Sequence, residues 1–325
     1  MRFKTGTIRS PADPRDYIFS HIYGAVGRLP TRVSLRERCP PVRDQGEYGT
    51  CAAFAAEGVK GVQEALNYPG AGYDFSPLFV YAAAKRLDGI PEQEGTYPRT
   101  IMKVLKDHGV CSEEQFPYSL MAWPRLPEAP AAAAEAAKKF RIGAYASTSA
   151  LSEVKHALSR GEPVLAGLII CENFRDDVGP DGMVSLPRGT ILGGHAVAVV
   201  GYDDQRQALE VRNSWGTSWG DGGYGWVPYD YFSFRDRDWG MPFWMESWTS
   251  VDIILPPPAA REVVFWVGGR TALVDGREVA LDQPPAIDPA SGRALVPLRF
   301  LAEHLGYRVD WDGGERKISL IKVGV

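Results

Sequence analysis

The sequence predicts an α+β fold: a helical lobe, then a strand-rich lobe, then a small α+β domain. Three observations predict it. Apolar residues recur at helical spacing through the first half, short β-branched or aromatic runs bounded by Gly, Asp and Pro fill the second, and the segment LPPPAAR at 255–261 interrupts both patterns. At 325 residues the chain is long enough for one large domain and a small one.

Residues 1–30, punctuated by Pro, Gly and Asp, are expected to form an extended arm, not a packed unit. A Gly-containing turn from Gln45 to Thr50 leads into CAAFAAEGVKGVQEAL, a helix that opens at Cys51. Ser76 and Pro77 cap and start a second helix, LFVYAAAKRL, and TIMKVLKDHG forms a third with Gly109 as its stop. After the alanine-rich stretch from Pro124 to Lys138, the runs PVLAGLII, HAVAVVGYDD, ALEVRNSW and GYGWVPYDYF are expected as strands, with the helix LSEVKHALSRG among them. The groove between a helical and a strand-rich lobe is a natural substrate site.

These boundaries give an arm at 1–30, a main domain at 31–254, a stiff linker at 255–261 and a small domain at 262–325. The last should contain a hairpin turning at Asp275-Gly276, a helix in VPLRFLAEHLG and two strands around Asp312-Gly313.

Composition narrows the function. With 45% hydrophobic and 23% charged residues and a formal charge of −4, nothing suggests nucleic acid as a partner. No apolar run reaches membrane-spanning length. The first residues lack the apolar core of a secretory signal, so a cytoplasmic location is expected. Cys39, Cys51, Cys111 and Cys171 make a poor disulfide framework, and the five dispersed histidines give no metal-site spacing. No metal or other cofactor is expected.

A cysteine that opens a helix is helped toward the thiolate by the helix dipole and free backbone N–H groups, although a buried structural cysteine fits the same pattern. His195 lies at the start of an alternating run behind two glycines, where a core histidine is also common. Asn213 follows 18 residues on (213 minus 195) in NSWGTSWGDGGYGW, where an amide can hold an imidazole in one tautomer.

Taken together, Gln45-Gly46 with Cys51 six residues on, Gly-His-Ala-Val at 194–197 and Asn-Ser-Trp-Gly at 213–216 resemble the papain family of cysteine peptidases. The separation of 144 between Cys51 and His195 (195 minus 51) falls in the roughly 130 to 150 residues typical of that family. The resemblance implies a two-lobed fold with a barrel-like second lobe and a peptide or protein substrate. It implies Cys51 as nucleophile, His195 as base and later acid, Asn213 as orienting amide, and Gln45 with the Cys51 N–H as oxyanion donors. An ion pair of Cys51 with His195 would then depress the thiol pKa. Trp215 would cover the His195–Asn213 bond, or serve as a plain core aromatic, and Gly95, Thr96 and Gly194 would line the substrate channel.

The sequence departs from the family pattern at three places. Thr96 stands where a glycine is usual and is expected either to narrow the channel or to alter main-chain pairing with substrate. The segment Glu47-Tyr48-Gly49-Thr50-Cys51-Ala52 lacks both the partner cysteine of a common disulfide and the tryptophan after the nucleophile. Only 30 residues precede the mature-like start at Thr31, fewer than the family's inhibitory propeptide, so either the enzyme needs no activation cleavage or the arm packs on the body as structure.

Residues 262–325 resemble the N-terminal domain of copper amine oxidases, which also occurs as repeats on bacterial surface proteins. No copper ligand set is present, His304 reads as a solvated helix residue, and the domain is expected to bind a protein or cell-wall component. Those surroundings favour an extracellular or cell-wall location instead. The alternatives to peptide hydrolysis are a silent binding protein and an acyl transferase or ligase using the same thiol.

Overall fold

The computed structural model describes residues 4–23, 27–70, 72–236, 240–252, 263–274, 276–305, 307–312, 314 and 317–322. Chain contacts divide it into Met1–Ile253 and Ile254–Val325. In order, the first unit contains α1 (Phe19–Tyr23), β1 (Arg32–Ser34), α2 (Cys51–Asn67), α3 (Pro77–Lys85), α4 (Pro98–Asp107), α5 (Ala131–Ala137), β2 (Ile142–Ser147) and α6 (Leu151–Ser159). There follow β3 (Val164–Cys171), α7 (Glu172–Asp176), β4 (Ile191–Asp203), β5 (Ala208–Arg212), β6 (Tyr224–Pro228), α8 (Asp230–Ser233) and β7 (Trp244–Asp252). The strands form one antiparallel sheet in the order β2-β7-β3-β4-β5-β6, with β1 paired to the far end of β4.

Helix α2 is buried around its whole circumference from Cys51 to Glu64, between α3 on one side and β4 on the other. Its alanines and glycines permit this. A Cβ on Gly58 would lie 2.9 Å from Arg212 Nη1 and 3.3 Å from the Ala198 Cβ. The charged residues on so buried a helix are all paired: Glu57 meets Arg212 at 3.0 Å and Arg43 at 3.6 Å, and Lys60 meets both Glu64 and Asp252. Burial pushes the Glu57 carboxyl up, against the pull of the two arginines.

Local signals set the neighbouring helices. The Ser76 hydroxyl accepts from the Phe79 N–H at 3.0 Å and donates to the Phe116 carbonyl at 2.6 Å, with Pro77 in the first turn of α3. Gly109, at φ +78°, takes the left-handed conformation just past α4.

Several expectations need correction. The described residues of the arm, 4–23 and 27–30, are extended in part but packed: Thr7 and Phe19 are buried, and the Ser147 N–H donates to the Tyr17 carbonyl. His195 sits within β4, not at its start, because pairing with β3 extends back to Ile191. The run from 223 leaves the sheet at Pro228 and turns into α8, and the alanines at 131–137 form a short helix.

The second unit holds β8 (Val263–Phe265), β9 (Thr271–Val274), β10 (Arg277–Ala280), β11 (Ala286–Ile287), β12 (Ala294–Leu295), α9 (Leu298–His304), β13 (Tyr307–Asp312) and β14 (Lys317–Lys322). The strands pair as β10-β9-β8, β11-β12 and β13-β14, around buried Ala272, Ala302 and Val309. His304 is half-buried and stacks on Phe300 at 4.2 Å, so it is not simply solvated. The linker at 255–261, Asp275 and Gly313 lie outside the described residues.

Removing Arg212 leaves Glu57 buried with one distant partner. Arg212→Ala should therefore cost about 3 kcal/mol, read as a lowered urea midpoint, whereas Arg212→Lys should cost less.

Candidate active site

Three chain segments meet at Cys51. The thiol sits in the first turn of α2, fully buried. His195 on β4 and Asn213, just past β5, lie side by side because those strands are antiparallel neighbours. The His195 Nε2 and Asn213 Oδ1 are 2.7 Å apart, and the same oxygen accepts the Ser214 N–H at 2.8 Å. An acceptor at Nε2 places the ring proton there, leaving Nδ1 as the basic nitrogen, buried and with no hydrogen-bond partner. Trp215 lies over the imidazole with ring centroids 4.4 Å apart.

Gln45 occupies the turn before α2, fully buried. Its backbone N–H donates to the Ser214 carbonyl at 2.8 Å, its Oε1 accepts from the Ser214 hydroxyl at 2.5 Å, and its carbonyl accepts from the Tyr118 hydroxyl at 2.8 Å. These bonds aim Nε2, which donates to the Tyr48 carbonyl at 2.8 Å and the Lys4 carbonyl at 3.0 Å.

That second acceptor belongs to the N-terminal arm, which runs through the cleft. The Gly6 and Thr7 N–H groups donate to the Gly194 carbonyl at 3.0 and 2.9 Å. The Thr96 N–H donates to the Gly6 carbonyl at 2.9 Å, and the Ile8 N–H to the Thr96 carbonyl at 3.1 Å, a parallel pairing of Thr7 with Thr96. The Thr7 Oγ1 is 3.2 Å from the Cys51 Sγ. Further along, the Ser10 N–H donates to the Glu246 Oε1 at 2.6 Å, and Asp16 pairs with Arg99 at 2.9 Å. The arm approaches so closely that a Cβ on Gly194 would sit 1.9 Å from the Thr7 carbonyl oxygen.

Burial acts on both members of the pair. It pushes the Cys51 thiol up, outweighing the Thr7 hydroxyl and the N–H groups of Ala196, Ala52 and Gly6. It pulls His195 down to about 4, with the Asn213 bond acting the other way. Both directions oppose the thiolate–imidazolium pair that the family resemblance implies. Among the described residues no hydrogen bond joins Cys51 to His195, and the sulfur is partnered by Thr7 instead.

Thr96 does not narrow the channel as expected. Its side chain is buried and its hydroxyl donates to Asp88 Oδ2 at 3.0 Å, leaving the backbone to face the cleft. Behind it Lys85 pairs with Asp88 at 2.8 Å and donates to the Gly95 carbonyl at 3.0 Å, while the Tyr81 hydroxyl accepts the Gly95 N–H. The sequence reading gave no part to Ser214, Tyr118, Glu94 or Thr7. Ser214 stands inside the Asn-Ser-Trp-Gly block, and its small hydroxyl beside the asparagine was the available signal.

An imidazole that takes its proton at 6.5 when exposed and at about 4 when buried stabilises the fold above pH 6.5, and that contribution is lost as the pH falls toward 4. The melting temperature of the full chain should fall over that window, and His195→Gln should flatten the decline between pH 6.5 and 5. Equal slopes in the two proteins would remove His195 as its source.

The papain family cysteine protease model matches residues 29–231, and the copper amine oxidase N-terminal domain model matches residues 252–320. The chain is similar to xylellain, a cysteine protease from Xylella fastidiosa: TM-score 0.66 and 28% identity, over 78% of this chain and 98% of that one. It is 31% identical over 215 residues to a peptidase C1-like protein of Acanthamoeba polyphaga mimivirus, covering 62% of this chain and 68% of the relative. A cysteine protease of Blomia tropicalis is 26% identical over 212 residues, covering 62% of each. The chain thus spans about two thirds of the length of these two relatives. The cysteine protease CMS1MS2 of Carica candamarcensis, solved with E-64, shares the fold at 19% identity and TM-score 0.51.

Proposed function

The chain belongs to the papain family of cysteine proteases, and from that premise we propose that it hydrolyses peptide bonds through a thioester on Cys51. One observation carries this reading beyond the family. An extended peptide already lies in the cleft, with a carbonyl on Gln45 Nε2 and two N–H groups on the Gly194 carbonyl.

With the arm displaced, the Cys51 proton passes to His195 Nδ1, the nitrogen left basic by Asn213. The thiolate attacks the substrate carbonyl, and the oxyanion is held by Gln45 Nε2 and the Cys51 N–H. His195 then protonates the leaving amine, and water, activated by the same nitrogen, releases the acid and restores the thiol. The backbones of Thr96 and Gly194 hold the peptide, Gly95 supplies the bend before Thr96, and Trp215 excludes water from the His195–Asn213 bond.

The arm occupies the atoms this reaction needs, so substrate and arm compete. Of the two sequence expectations for the arm, this reading builds on packing as structure: while packed, the arm blocks turnover. The C-terminal domain fits a protein- or cell-wall-binding module, and an extracellular location would suit it.

Full-length protein should cleave a fluorogenic peptide library slowly, and Cys51→Ala should abolish cleavage. A Cβ on Gly6 would lie 2.2 Å from the Gly49 carbonyl oxygen, so Gly6→Ala cannot seat the arm and should raise kcat/KM by roughly tenfold or more. Unchanged turnover in Gly6→Ala would refute competition by the arm, and no turnover in either protein would refute the peptidase reading.

A further inference from the structure

Glu94 stands at the rim of the cleft, immediately before Gly95 and Thr96, with its side chain 21% exposed. Its two oxygens have separate duties. Oε1 accepts the Gly49 N–H at 2.8 Å, and its Cγ packs so closely on Gly49 that a Cβ there would be 3.2 Å away. This bond fixes the carboxylate from the protein side. Oε2 faces the arm and meets the Lys4 ammonium at 3.2 Å. Lys4 is also the residue whose carbonyl rests on Gln45 Nε2.

One residue of the bound peptide therefore spans two fixed points, an amide donor for its carbonyl and a carboxylate for its side chain. Both points belong to the cleft wall, on Gln45 and Glu94, and not to the arm. We propose that Glu94 is a specificity-determining residue, selecting substrates with lysine or arginine at the position whose carbonyl enters the Gln45 amide site and is attacked by Cys51. The inference rests on the peptidase reading and names its substrate class.

The physical case turns on preorganisation. A carboxylate tethered by a backbone N–H loses little freedom on meeting a cation, and partial burial weakens screening by salt. A neutral side chain would leave Oε2 without its partner and partly shielded from water. When the arm leaves, the vacated carboxylate attracts a basic residue of the incoming peptide.

The test uses the full-length chain and two fluorogenic peptides that differ only in the residue before the cleaved bond, lysine in one and norleucine in the other. Competition from the arm acts equally on both, so the ratio of their kcat/KM values reports the site alone. Wild type should prefer lysine by roughly fivefold or more, a preference that weakens with added salt. In Glu94→Gln, whose side-chain carbonyl still accepts the Gly49 N–H, the ratio should fall to near one. Lys4→Met should speed both peptides and keep the wild-type ratio. A wild-type ratio near one, or a lysine preference that survives in Glu94→Gln, would overturn the assignment while leaving the peptidase reading intact. Absence of cleavage of both peptides in every variant would overturn both together.

Discussion

The geometry of the site depends on how closely α2 can lie against β4 and β5. The thiol comes from the helix, the imidazole from one strand and the orienting amide from the end of the next, so the helix–sheet distance sets the distances among all three. Alanine and glycine on the contact face make a close approach possible, and the pair of Glu57 with Arg212 fixes it from within. Arg212 immediately precedes Asn213 in sequence. The residue that neutralises the helix carboxylate thus also anchors the strand end that orients His195. Burying that pair brings little net stability, since desolvation offsets most of the attraction. Its value is positional.

The arm exploits the same geometry. A cleft built to bind extended backbone presents unpaired groups at Gly194, Thr96 and Gln45, and a tethered segment satisfies them at high effective concentration. Phe19 is buried in the body, so the segment that precedes it cannot diffuse away when it leaves the cleft. The cost falls on the catalytic pair. Burial pushes the Cys51 thiol up and pulls the His195 imidazole down, so charge is disfavoured on both, while the Thr7 hydroxyl 3.2 Å from the sulfur acts the other way on the thiol.

What could be read from the sequence follows from which atoms do the work. The places of Cys51, His195, Asn213 and Gln45 were legible because the role proposed for each belongs to its own side chain and each sits in a short block of constrained neighbours. The principal helices and strands of the main domain were legible from period and caps. The path of the arm was not, since it pairs through backbone atoms that any sequence carries, and glycines such as those at 6, 95 and 194 mark the close approach. Thr96 was misplaced for a related reason. At a position where glycine is usual, a side chain suggested obstruction, yet Asp88 eight residues earlier draws the hydroxyl into the interior. The extent of β4 and the turn into α8 depended on tertiary pairing that local patterns do not record.

The four cysteines are free, so the turn that carries Gln45 is not stapled to the cleft wall covalently. Two non-covalent ties take that place. Glu94 bonds to the Gly49 N–H across the gap, and the Tyr118 hydroxyl bridges Thr50 and the Gln45 carbonyl from the other side. A covalent staple would hold the turn without regard to what fills the cleft. A carboxylate shared between the turn and the arm's lysine cannot do so, because the charge on one oxygen responds to what meets the other. The oxyanion turn and the arm thus meet at a single side chain, since Glu94 accepts the Gly49 N–H with one oxygen and pairs with the Lys4 ammonium through the other.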